Sequence, residues 1–140
     1  MATSKVTYIY DDDNSFQAPG VAGDNTTKIV GVLPLDKLTG ARGDMRNKLG
    51  AQTYAIVIAV SASDDGDADE TYVFDAQVGA VGSPSTKVGE FAVPRGSVGQ
   101  FVMMLDANTI EALDADHAEI ELNVTIGGAT PLITFGAWLI

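Results

Sequence analysis

Apolar and polar residues alternate with a period of two through most of this chain. The clearest stretch is Ala118 to Ile140. Ile120, Leu122, Val124 and Ile126 alternate with Glu119, Glu121, Asn123 and Thr125. Such a period gives a strand one apolar and one wetted face. Gly127-Gly128-Ala129-Thr130-Pro131 supplies backbone freedom to turn. Ile133, Phe135, Ala137 and Leu139 then alternate with Thr134, Gly136 and Trp138. The simplest reading is a terminal β-hairpin with an apolar face on each arm.

Earlier segments follow the same rule. Val6 to Tyr10 is short and β-prone, and Asp11-Asp12-Asp13-Asn14 ends it. Ser15 to Asn25 is small, polar and glycine-containing, so 1–25 reads as an N-terminal arm; an edge strand plus loop is the plain alternative. Thr26 to Val32 predicts a strand with Ile29, Val30 and Val32 half buried, broken by Leu33-Pro34-Leu35. Thr53 to Ser61 carries bulky residues at Tyr54, Ile56, Ile58 and Val60, and small ones at Ala55, Val57 and Ala59. That pattern suits a central strand covered on both sides. After the acidic turn Ser63 to Glu70, Thr71 to Val78 alternates again, and the pair reads as a second hairpin. Gly79 to Pro84 reads as a loop, and Lys87 to Val93 and Gln100 to Leu105 as short strands. Asp106 to Asp116 is the one expected helix, capped by Asp106, with Ile110 and Leu113 three apart. Seven or eight short strands with almost no helix predict an all-β antiparallel jelly roll or sandwich. A single domain over 26–140 follows the arm.

Composition narrows the function classes. A 140-residue chain buries roughly two-thirds of its unfolded surface and needs no disulfide or metal to fold. With no cysteine there is no thiol nucleophile and no thiolate metal site. Nineteen acidic residues against eight basic ones give a net charge of −11, which disfavours nucleic acid. The N-terminus shows no apolar signal core and no run is long enough to span a bilayer, so neither a membrane nor a visible signal peptide is expected.

Candidate chemistry is sparse. Half of the eight basic residues, Lys37, Arg42, Arg46 and Lys48, fall within Asp36 to Gly50. On so acidic a chain this suggests a contact patch, against the plain alternative of a solvated long loop. Arg42-Gly43-Asp44 matches the integrin-binding tripeptide, with no secretion signal to support that role. Asp64, Asp65, Asp67, Asp69 and Glu70 invite a calcium reading, but an EF-hand counted from Asp65 has Glu70 at position six and Ala76 at position twelve, so that motif fails. A looser surface calcium site is the reading that remains, and a solvated hairpin tip that discourages strand aggregation is the alternative. His117 is the sole histidine, and nothing places a nucleophile beside it. No nucleophile elbow, phosphate loop, dinucleotide fingerprint or zinc motif appears, so no catalytic residue, metal site or cofactor is assigned and an enzyme is not expected. Trp138, Tyr8, Tyr10, Tyr54 and Tyr72 could stack on sugars if exposed; in alternating strands they are more often core or interface residues.

The order of segments resembles the jelly-roll capsid cement, or decoration, proteins of tailed bacteriophages, particularly the Bordetella podophage type. The resemblance runs from about Asp12 to the C-terminus and is strongest in Glu121-Leu-Asn-Val-Thr-Ile-Gly-Gly and Phe135-Gly-Ala-Trp-Leu. Tyr54 to Val60, the acidic tip and Thr71 to Gln77 resemble the family's central hairpin. Asp12-Asp-Asn-Ser-Phe and Thr26-Thr-Lys-Ile-Val resemble its arm and first strand. Asp36 to Gly50 departs from the pattern, being longer and more basic. The resemblance implies a non-enzymatic virion protein on the outer surface of the capsid, a symmetric homo-oligomer (dimer or trimer) that staples major capsid protein subunits. The expected capsid-contact residues are Lys37, Arg42, Arg46, Lys48, Tyr8 and Tyr10. The alternative is a carbohydrate-binding jelly-roll module with exposed aromatics and calcium in the acidic tip.

Overall fold

The computed structural model describes residues 8–21, 23–35, 53–114 and 116–140. The strands are β1 (Ser15–Gln17), β2 (Lys28–Pro34), β3 (Thr53–Ser63), β4 (Thr71–Ala80), β5 (Ser83–Val93), β6 (Gly99–Asp106), β7 (Glu119–Gly127) and β8 (Ile133–Leu139). Among the described residues, one helix longer than one turn, α1 (Ala107–Leu113), links β6 towards β7. Two antiparallel sheets form, ordered β1-β8-β3-β6 and β2-β7-β4-β5.

The pairing explains the architecture. β4 pairs with β5, β3 with β6, β2 with β7 and β1 with β8. The eight strands thus nest like one long hairpin. Rolling that hairpin brings β8 beside β3 and β7 beside β4, which completes the two sheets. This is the double-sheet jelly roll expected of the chain.

The core lies between the sheets, filled by the alternating residues. Ile56, Ile58, Ile133, Phe135 and Leu139 come from one sheet; Tyr72, Phe74, Val78, Ile120, Leu122 and Val124 from the other. Phe74 and Phe135 meet edge to face across the interior, 4.9 Å between ring centres, a favoured aromatic geometry.

Two expected hairpins are corrected. β3 and β4 lie in different sheets, and so do β7 and β8. The acidic segment and Gly127–Pro131 therefore cross between sheets. Alternation fixes which face of a strand is buried, not which strand it bonds to, and two strands facing one core satisfy it equally well. The true local hairpin is β4–β5. The expected loop over Gly79 to Pro84 is mostly strand, with only Val81 and Gly82 between the arms. Gly82 takes the positive φ of +83° there.

Other boundaries shift for visible reasons. β2 runs on to Pro34, where the absent N–H is tolerated because β2 is an edge strand. A bulge between Ile29 and Gly31 turns Ile29 outward, leaving it 58% exposed. Asp106 caps α1 as expected, accepting from the Thr109 N–H at 3.2 Å. Ile110 is buried, but Leu113 is exposed. Within the 1–25 arm, the edge-strand alternative holds for Ser15–Gln17, which pairs with β8 and buries Phe16.

Tyr54 carries a testable cost. Its hydroxyl is buried with no hydrogen-bond partner among the described residues. Burial pushes its pKa up to about 12. An unfolded tyrosine ionises at about 10. Between about pH 10 and 12 the unfolded chain therefore sheds a proton that the folded chain keeps, and stability falls as pH rises. Tyr54→Phe removes this linkage and the unsatisfied hydroxyl. We expect the urea midpoint to hold or rise at neutral pH and to decline less steeply above about pH 10. An unchanged alkaline slope would show that Tyr54 is solvated.

Candidate functional site

The outer face of the β1-β8-β3-β6 sheet is the first notable surface. Gly136 and Trp138 point outward from β8, opposite the core residues Phe135, Ala137 and Leu139. Trp138 is nevertheless only 1% exposed. The N-terminal segment lies over this face. The Tyr10 ring meets Trp138 edge to face at 5.4 Å. The Tyr10 hydroxyl shares its one proton between Ser15 Oγ at 2.9 Å and Asp12 Oδ1 at 3.1 Å. Pro19 sits directly over Gly136, leaving no room for a side chain there. Asp24 then bridges to Ile133, with its N–H donating to the Ile133 carbonyl at 2.7 Å. Tyr8 is fixed at the other edge of the sheet, its backbone exchanging two hydrogen bonds with the Gln100 side chain on β6.

Of the expected contact residues, Tyr8 and Tyr10 are thus placed on this face, both partly buried. Lys37, Arg42, Arg46 and Lys48 lie outside the described residues, as does the Arg42-Gly43-Asp44 tripeptide. Among the aromatics considered for sugar stacking, Tyr54, Tyr72 and Trp138 are buried. A shallow depression of about 460 Å³ on the outer face of the other sheet is lined by Asp75, Gln77, Glu121 and Asn123 among others, with no aromatic ring.

His117 is occupied locally. Its Nδ1 lies 3.1 Å from the Asp114 carbonyl just after α1. Asp114 also accepts from the Asp116 N–H and from Thr86 Oγ1. Those two hydrogen bonds, with a smaller contribution from the charge of His117, hold the Asp114 carboxyl below its ordinary range. The group is a helix-exit clasp.

The second notable surface is the acidic crossover 64–70. It lies beside the crossover 128–132, and the two are stitched together. The Asp64 N–H donates to the Leu132 carbonyl at 2.8 Å. The Ala129 N–H reaches the Asp69 carboxylate at 3.2 Å, and Thr130 Oγ1 donates to Asp67 Oδ2. The buried Tyr72 hydroxyl lies under the seam, donating towards the Asp64 and Leu132 carbonyls and accepting from the Leu132 N–H. Burial raises its pKa, the Leu132 N–H donating to the phenol oxygen offsets part of this, and the nearby Asp64 and Glu70 carboxylates raise it further.

Glu70 is the residue that sequence reasoning misjudged. The solvated-tip alternative does not hold for it, because it is only 3% exposed. Its Oε1 accepts from the Asp67 N–H at 2.9 Å. Its Oε2 is buried with no hydrogen-bond partner among the described residues. One carboxylate oxygen each from Asp67, Asp69 and Glu70 lie within 4.8 Å of one another. The available signal was position: Glu70 directly precedes β4, whose second residue, Tyr72, is fully buried.

Compared with protein-family models, curated proteins and solved structures, the chain matches none of them.

Proposed function

We propose that this protein is a non-enzymatic capsid cement protein. It binds the outer surface of a mature phage head as a symmetric homo-oligomer and staples neighbouring major capsid subunits. The observation that best supports this reading concerns the closing strand, where the resemblance is strongest. Phe135, Ala137 and Leu139 fill the core, while Gly136 and Trp138 seat the N-terminal segment on the outer face. The shared residues therefore fix a rigid body with a strapped outer surface. Rigidity suits a brace, because loops held at fixed spacing can meet several subunits at once. Repetition of one patch around a symmetry axis multiplies weak contacts into avidity.

The test uses density-gradient-purified particles from the source, analysed by quantitative mass spectrometry. The expected result is this chain at a fixed, high ratio to the major shell protein. Stripped particles should rebind purified chain. Replacing Lys37, Arg42, Arg46 and Lys48 together with serine should weaken rebinding by at least about tenfold, as loss of several charge-assisted contacts requires, with the melting temperature unchanged. Absence from the particles removes the cement reading; unaltered rebinding removes only the basic contact patch.

A further inference from the structure

We propose that the acidic crossover binds one calcium ion through Asp67, Asp69 and Glu70. The inference rests on Glu70 and is independent of capsid binding. A buried carboxylate with a bare oxygen is costly unless something compensates its charge. The ion pairs among the described residues are Lys28–Asp24 and Lys87–Glu90, and neither reaches this site. The other carboxylates beside Glu70 add to its charge instead of balancing it. Three carboxylates brought within 4.8 Å of one another, one of them on a buried side chain with an unpartnered oxygen, are the arrangement a cation would stabilise.

The ligand chemistry selects the ion. All three groups are hard oxygen donors, which suit calcium or magnesium and not the softer transition metals. Oxygens on opposite sides of one calcium ion stand about 4.6–5.2 Å apart, twice the metal–oxygen distance, against about 4.2 Å for magnesium. The three carboxylate oxygens lie within 4.8 Å of one another, inside the span of one calcium shell, and calcium accepts irregular carboxylate sets where magnesium demands a near-ideal octahedron. Asp67 and Asp69 are exposed, so water can complete the shell. Asp69 and Asp67 already hold Ala129 and Thr130, so the ion would also tie the two crossovers together.

The experiment uses the full chain, freed of metal with a chelator and titrated with calcium chloride at constant ionic strength. Calorimetry should show one site per chain, with a dissociation constant of about 10⁻⁴–10⁻³ M, the range of open extracellular calcium sites. The melting temperature should rise by several degrees at about 10 mM calcium and much less with magnesium. Glu70→Gln should lower the affinity at least about tenfold and abolish the thermal shift. The double variant D67N/D69N gives a second reading. Its altered side chains are exposed, and each asparagine keeps an acceptor for Thr130 or Ala129. It should fold and lose the calcium response in the same way. Absence of saturable binding below about 10 mM, equal response to magnesium, or undiminished binding by D67N/D69N would overturn the proposal.

Discussion

Phe74→Ala is expected to destabilise the domain by roughly 3–5 kcal/mol, the range for emptying a buried aromatic site. Phe74 is fully buried on β4, and its ring meets Phe135 on β8 at 4.9 Å. The two rings belong to opposite sheets, so this contact joins the halves of the sandwich directly. A cavity there cannot collapse easily, because the strands on both sides are locked into ladders with two neighbours each. Domain stabilities run to about 5–15 kcal/mol, so the loss is roughly a fifth or more of the total. Phe135→Ala should cost a similar amount. The double variant should fall short of the sum by about 0.5–1.5 kcal/mol, the usual coupling of an edge-to-face pair. Urea unfolding followed by circular dichroism measures all three, and the midpoint should move with little change in slope. A Phe74→Ala cost below about 1 kcal/mol would mean that the sheets do not pack through this pair.

Phe74 and Phe135 were both legible as inward-facing residues. Alternation in Thr71 to Val78 and in Ile133 to Leu139 assigns them to apolar faces without any knowledge of the fold. Their partnership was not legible. Each expected hairpin, β3 with β4 and β7 with β8, is instead a crossover between sheets. Period-two patterning carries no information about hydrogen-bond partners, and a glycine-rich connection can serve a tight hairpin or a sheet switch. The long-range pairs β1–β8, β2–β7 and β3–β6 bring together segments far apart in the chain, and a single sequence does not encode those in any local period.

The same limit applied to the acidic crossover. Five carboxylates between Asp64 and Glu70 are conspicuous in the sequence and invite one collective reading. The structure divides them. Asp67 and Asp69 stay exposed, whereas Glu70 is drawn inward at the start of β4. The second wall of the site comes from Ala129 and Thr130, about sixty residues away, through hydrogen bonds that no spacing rule anticipates. Trp138 shows the converse. Its parity in β8 places it on the outer face, where solvent would be expected, yet Tyr10 and the strap it belongs to cover it. A sequence signal for that cover existed: Gly136, a glycine inside an alternating strand, marks a place where another backbone comes close.

Gly136→Val tests that cover. A Cβ at Gly136 would lie 2.6 Å from Pro19 N and 2.7 Å from Pro19 Cα. Both are backbone atoms, so no rotamer change relieves the clash, and the larger valine intensifies it. Either β8 shifts, which its inner face in the core resists, or the strap lifts. Lifting the strap around Pro19 is the smaller disturbance, because residues 8–24 are held by short hydrogen-bonded stretches and one core side chain, Phe16, against the many core residues that fix β8. We expect a cost of about 1–3 kcal/mol, typical of overpacking. Trp138 is the sole tryptophan, so its fluorescence reports the event without interference. Its emission should move to the red as Tyr10 withdraws, and proteolysis should become faster within residues 8–24 while the strands stay protected. Gly20→Ala is the control. Gly20 has φ of +81° and nothing within 4 Å of an added Cβ, so alanine there strains the backbone without displacing a neighbour. It should cost about 1 kcal/mol and leave Trp138 emission unchanged. Unchanged emission in Gly136→Val would show that Trp138 is buried by something other than the strap. A red shift confined to Gly136→Val would identify contact between β8 and residues 8–24 as what holds the outer face closed.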